Sequence, residues 1–278
     1  MTITDLTDNY VSSILKGKNV EEYYNSCPFL FEHYFEFWGD KNYKPEITDS
    51  GILLRNRDLI LKSLEKISVI LQRNNADTEN INVIIFAGQS RANGHAFIYD
   101  NKSYAWIAAE CYTSELYCDV MCSHEIGHAL HYASVPELSF RNKYEKELVK
   151  RQLITEGLAS YFTKQIFGTN DITALWADHC DKTAAEKWMN NFETKSSEII
   201  KFVKENFYRS DSSGKLFSMI EDINISNSDP FMSRGGYLLG LKLTEYIADE
   251  YNENLFSLLK MPAKEIEGKF YEALKNFN

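Results

Sequence analysis

Residues 122–134 read CSHEIGHALHYAS, and the spacing within this run decides how the rest of the chain is read. On a helix, residues four apart share a face one turn apart, so His124 and His128 present two imidazoles to one point. Two adjacent corners of a zinc tetrahedron require that arrangement. Glu125 is turned from His124 by about 100°, close enough to act on water that a metal acidifies without being a ligand itself. The plain alternative is a polar patch on an ordinary helix, and the flanking sequence has to choose between them. ELYCDVMCSHEIGHALHYAS reads as one amphipathic helix, 115–134, with Pro136 marking its end. It follows a β-rich stretch in mid-chain, which suits a buried zinc helix.

A catalytic zinc needs a third protein ligand and an open fourth position. His131 lies three residues past His128 but a further turn away, and reads as a packing or supporting histidine. The pattern HExxHxxGxxH is excluded, because His131 and Ser134 stand where it requires Gly and His. Cys118 and Cys122 share a helix face, yet Cys122 is about 160° round from His124. Glu156 in ITEGLASYF is the strongest candidate. Leu153, Ile154, Leu158, Ala159, Tyr161 and Phe162 surround it, and a carboxylate in such a segment calls for a cation. Residues 137–168 read as a second long helix closed by Gly168, and Gly157 and Ala159 allow close helix packing. The expected centre is one Zn2+ per chain held by His124, His128 and Glu156.

HEIGH at 124–128 followed by EGLASY at 156–161 resembles the signature of the gluzincin metallopeptidases. The likeness is to the thermolysin-related and aminopeptidase N-like branches and to uncharacterised bacterial families regarded as zinc proteases. It implies a zincin-like fold and hydrolysis of peptide bonds with Glu125 as general base. It also implies a hydrogen-bond donor to the oxyanion. The aminopeptidase N-like Tyr-x-x-Gly is matched by Tyr237-Leu238-Leu239-Gly240, with Tyr161 and His131 in reserve. Gly235 and Gly236 would let backbone approach a ligand closely. Arg234 could hold a substrate carboxylate, but reads rather as a solvated arginine. The resemblance further implies that an edge strand pairs with an extended substrate, by position Tyr104–Tyr112. Two departures matter. The Gly-x-Met-Glu-Asn anchor for a free N-terminus is absent, Glu110 being the lone acid in that strand, so aminopeptidase action is not expected. Ser160 stands where thermolysin-type enzymes place an aspartate, so the support for the histidines must be built differently.

The fold class expected is α+β, mainly helical. INVIIFAG (81–88), GHAFIYD (94–100) and SYAWIAAECY (103–112) are β-branched and aromatic, and they suggest a small sheet of three or four strands arranged as a meander against the HEIGH helix. The Asp100-Asn101 pair suits a hairpin turn. Residues 1–75 read mostly as helix: Ile52, Leu59, Leu61, Leu64, Ile67, Ile70 and Leu71 recur at helical spacing after a cap at Asp49 or Ser50. Further helical patterns run through 181–207, 213–222, 231–252 and 262–276. With no repeat and no linker rich in Pro, Gly or Ser, residues 1–278 are expected to form a single unit. It would comprise a helical N-terminal region over 1–80, a sheet and zinc helix over 81–135, and a helical region over 136–278.

The chain has 278 residues, 44% hydrophobic and 25% charged, with a formal net charge of −10. That acidity argues against nucleic acid or anionic membrane as a partner. No run approaches the roughly 18–20 apolar residues of a membrane span. The start MTITDLTDNY lacks a basic and then apolar leader, and five scattered cysteines (27, 111, 118, 122, 180) suit free thiols. A cytoplasmic location is therefore expected, with a peptide or protein as substrate. Two other readings stay open: a binding or regulatory module that keeps zinc for stability, and a zinc hydrolase of a non-peptide substrate.

Overall fold

A computed structural model describes residues 1–15, 17, 19–45, 47–179, 181–211, 216–217, 229–230 and 233–277. They fall into two compact units, Met1–Ala133 and Ser134–Asn278. The architecture is α+β, mostly helical with one four-stranded sheet. The expected helix at 213–222 and the thiol of Cys180 lie outside the described residues, save Leu216 and Phe217. No described helix is long and apolar enough to cross a membrane.

The first unit holds the sheet. Its strands are β1 (Thr2–Asp5), β2 (Ile81–Phe86), β3 (Gly94–Tyr99) and β4 (Lys102–Ala108), in the order β1-β2-β4-β3. β1 and β4 flank β2 in parallel, and β3 pairs antiparallel with β4. The meander expected from sequence is therefore corrected. β3 leaves β2, passes β4 and folds back on it as a hairpin, so β4 becomes a central strand. β2 is buried along almost all its length, as a parallel strand covered on both faces must be. The Asp100-Asn101 turn is borne out. Both residues have positive φ, +47° and +58°, the geometry of the tight turn that matches strand twist. β1 was not foreseen: four residues, largely exposed, carry no usable periodicity.

Helices α1 (Thr7–Tyr10), α2 (Val20–Tyr24), α3 (Pro28–Phe37) and α4 (Ser50–Arg73) precede β2 in sequence, and α5 (Glu115–Ser134) follows the sheet. Asp49 caps α4, accepting hydrogen bonds from the amides of Gly51 and Ile52 at 2.8 and 3.2 Å. The buried stripe of α4 runs through Leu53, Asn56, Ile60, Leu64, Ile67 and Leu71. Ile52 is exposed instead, and Asn56 takes a core position, donating to the Ala109 carbonyl at 3.0 Å. α3 covers one face of β3: Phe29 stacks on Tyr99, His33 on Phe97, and Trp38 lies against His95.

The second unit contains α6 (Lys143–Glu147), α7 (Val149–Phe167), α8 (Asp171–Trp176), α9 (Lys182–Asn206), α10 (Gly235–Tyr251), α11 (Leu255–Lys260) and α12 (Ala263–Asn276). The single helix expected over 137–168 is broken. Asn142 caps a short α6, and Leu148 is extended (ψ 115°) and bridges to Ser210 before α7 begins. A side chain that caps a new start competes with continuing the old helix. Gly168 closes α7 in the left-handed region as expected.

α7 packs most extensively on α10. At their crossing, a Cβ added to Gly157 would lie 2.5 Å from the Gly240 carbonyl oxygen, and one added to Gly240 would lie 2.6 Å from the Leu153 oxygen. Beyond the crossing, Lys164 of α7 pairs with Asp171 and Glu245, and Lys242 of α10 pairs with Asp171. Burial raises the Asp171 carboxyl, but hydrogen bonds from Lys164 and Lys242 outweigh it and hold the pKa below the usual aspartate value. Such a group stabilises the fold fully above its unfolded value near 3.8, and the contribution is lost as pH falls through the lower folded value. The Asp171→Asn chain should be less stable at pH 7 by about 1 kcal/mol, with the difference closing in urea titrations repeated below about pH 4.

Candidate metal centre

α5 spans 115–134 as one helix, so the four-residue spacing of His124 and His128 is realised in space. Their Nε2 atoms stand 3.1 Å apart with the rings crossed at 84°. Two nitrogens on a tetrahedral zinc at about 2.05 Å would be roughly 3.3 Å apart, so both lone pairs address one point. Ligand atoms of His124, His128 and Glu156 all lie within 4.8 Å of one another. Two imidazoles and one carboxylate form a donor set that suits zinc and leaves a fourth position. His128 is 5% exposed and Glu156 8%. In both the chemistry and the closeness of the donor atoms, the residues present fit the ion.

Glu125 is 5% exposed and faces the start of β3. A Cβ on Gly94 would come within 2.6 Å of its Cγ and 2.9 Å of its Cδ, so only glycine there leaves this carboxylate its place. Gly94 was not foreseen as part of the site. The loop before it is shaped by Glu110, whose oxygens accept the amides of Gly88 and Ser90 at 2.9 and 3.0 Å. Both oxygens of that carboxylate thus accept backbone amides.

Among the described residues, His131 and the cysteines fall outside the metal-ligating group. His131 is 1% exposed, and burial, followed by the nearby His128, lowers its pKa to about 3. The imidazole is therefore held in its neutral form. Cys118 and Cys122 are buried, and with Cys27 and Cys111 they are free thiols.

Three expectations about position are corrected. The peptide-pairing strand cannot be 104–112. β4 is hydrogen-bonded along both edges by β2 and β3, and Ala109–Cys111 is a 3-10 turn. Gly235 and Gly236 do not open toward a ligand. A Cβ on the first would meet the Pro230 oxygen at 2.3 Å, and one on the second the Phe217 ring at 2.4 Å, so they admit neighbouring loop residues. Arg234 is not solvated: it is 5% exposed, with its guanidinium 4.2 Å over the Trp176 ring, a cation–π contact that replaces water.

Tyr237 sits half-buried in the first turn of α10, 6.0 Å from the Phe217 ring. It precedes Gly240 by three residues, hence by roughly one turn from the α7 crossing. Tyr161 follows Glu156 by five residues, about 140° round α7. Asp249 and Glu245 raise its hydroxyl pKa after burial does, so it belongs with the charged network beyond the crossing.

Neither the curated proteins nor the solved structures contain a match to this chain. One family model matches residues 72–267, well over half of the chain, with the description predicted Zn-dependent protease. The match runs from the end of α4 through both histidines, Glu156 and α10, and the chain accordingly belongs to the predicted Zn-dependent protease family DUF2268.

Proposed function

We propose that this chain is a gluzincin-type metallopeptidase that holds one zinc ion through His124, His128 and Glu156. The convergence of two imidazoles and a buried carboxylate within 4.8 Å, with Glu125 next to His124 on the same helix, carries this reading. Zinc at that position supplies Lewis acidity, acidifying a water molecule and polarising the scissile carbonyl. Glu125 takes a proton from the water as it adds to the carbonyl carbon, and returns it to the departing amine nitrogen as the C–N bond breaks. The buried setting of Glu125 keeps bulk water from competing for that proton.

The Tyr237 hydroxyl donates a hydrogen bond to the developing oxyanion. The peptide takes its place at the Gly94 end of β3, one of the two outer strands of the sheet. Gly94 is half-buried there and its Cα faces the Glu125 side chain, which would set a paired peptide backbone beside the general base.

Hydrolysis of a broad peptide library by the zinc-loaded chain, abolished by chelation and restored by zinc, tests the activity. A zinc-loaded chain that cleaves nothing in the library would sink it. Tyr237→Phe should lower kcat by about 10²-fold, in the range of other single oxyanion donors, with KM and zinc content little changed. An unchanged kcat removes Tyr237 from the machinery.

A further inference from the structure

We infer that Gly157 and Gly240 form a metal-independent register that positions Glu156 and Tyr237 relative to each other. The inference rests on the reading of Glu156 as a zinc ligand, and it concerns how that ligand is held rather than what it binds.

The observation is backbone-to-backbone contact. The two glycines face each other so closely that a methyl on either would strike main chain. From Gly157 it would meet the Gly240 oxygen, carbonyl carbon and Cα at 2.5, 2.6 and 2.9 Å, and from Gly240 the Leu153 oxygen at 2.6 Å and the Gly157 Cα at 2.9 Å. Main-chain atoms of two helices cannot yield as a side chain can. The Gly240 carbonyl is also tied down from its own helix, accepting the buried Thr244 hydroxyl at 2.8 Å. The two backbones therefore stand closer than any residue with a side chain would allow.

Both candidate residues hang on it. Glu156 lies between Leu153 and Gly157, two α7 residues whose main chain closely approaches Gly240 of α10. Tyr237 lies three residues before Gly240, about 4.5 Å along α10 and on nearly the same face. The salt bridges from Lys164 and Lys242 to Asp171 close the same pair of helices further along. Functional groups need placement within about 0.5 Å. Restoring an ordinary contact of 3.4 Å for a methyl on Gly240 would part the helices by roughly 0.8 Å, more than that tolerance.

Gly157 and Gly240 are thus positioning residues, and they act through Glu156. In competition titrations with a zinc chelator, Gly240→Ala should weaken zinc binding about 10- to 100-fold, the range found when the support of a metal ligand is lost. Gly268→Ala, where a methyl meets nothing within 4 Å, should leave it unchanged. The deciding measurement is the double-mutant cycle. If Gly240 works through Glu156, Gly240→Ala has no further effect on zinc affinity in the Glu156→Gln chain. An equal loss in both backgrounds, or no loss in either, overturns the register alone. Unchanged zinc affinity in Glu156→Gln by itself overturns the ligand reading and the register with it.

Should Gly240→Ala fail to fold, amide exchange on the wild type decides. Protection of amides 153–157 and 238–241 equal with and without zinc supports a preformed register. Loss of that protection on zinc removal overturns it.

Discussion

Glu125→Gln should bind one zinc ion per chain as tightly as the wild type and lose peptide hydrolysis by about 10²–10⁴-fold, the contribution typical of a positioned general base. The two halves of that result have separate causes. Glu125 lies about 100° round α5 from His124 and is not one of the three clustered ligands, so metal binding should not depend on its charge. An amide of nearly the same shape fills the space opposite Gly94 without strain, so the fold is preserved. Only the ability to accept and return a proton is removed. Zinc titration and kcat/KM on the same preparation check both halves. Loss of zinc together with activity would make Glu125 a ligand or a structural support.

Glu156→Gln should act on the other side of that division. Removal of a direct ligand should weaken zinc binding by at least about 100-fold, exceeding the 10- to 100-fold typical of supporting partners. With the metal in large excess over the wild-type Kd, a 100-fold loss of affinity removes about 2.7 kcal/mol of the stabilisation that zinc confers on the folded chain. The zinc-dependent rise in Tm should shrink accordingly. Calorimetry with and without zinc reads the effect, and a zinc-dependent rise in Tm that does not shrink would place Glu156 outside the centre.

The features read correctly from sequence are local ones. The His124–His128 spacing fixes a shared helix face, Gly168 stops α7 through its own backbone conformation, and Asp100-Asn101 needs no partner to form its turn. Glu156 was legible because an acid amid Leu153, Ile154, Leu158 and Phe162 is anomalous wherever the segment packs. What could not be read depends on partners distant in sequence. β1 is four largely exposed residues whose strand character comes from pairing with 82–85. β4 looks like an edge strand until β3 is known to fold back outside it. The stripe of α4 is masked by Asn56, whose core position makes sense only beside the Ala109 carbonyl. Gly94 resembles an ordinary loop glycine until the Glu125 side chain occupies the space a Cβ would take. The break at Leu148 likewise follows from its bridge to Ser210, in a segment that carries no strand pattern.

The central claim is a zinc site built from two histidines and one glutamate with its fourth position open to water or substrate. An anomalous difference map at the zinc edge, from crystals of the metal-loaded chain, tests it most directly. The account predicts one peak per chain. His124 and His128 nitrogens should lie at about 2.0–2.1 Å, a Glu156 oxygen at about 2.0–2.2 Å, and a non-protein oxygen in the remaining position. A peak elsewhere, or a fourth protein side chain closing the coordination sphere, would contradict it.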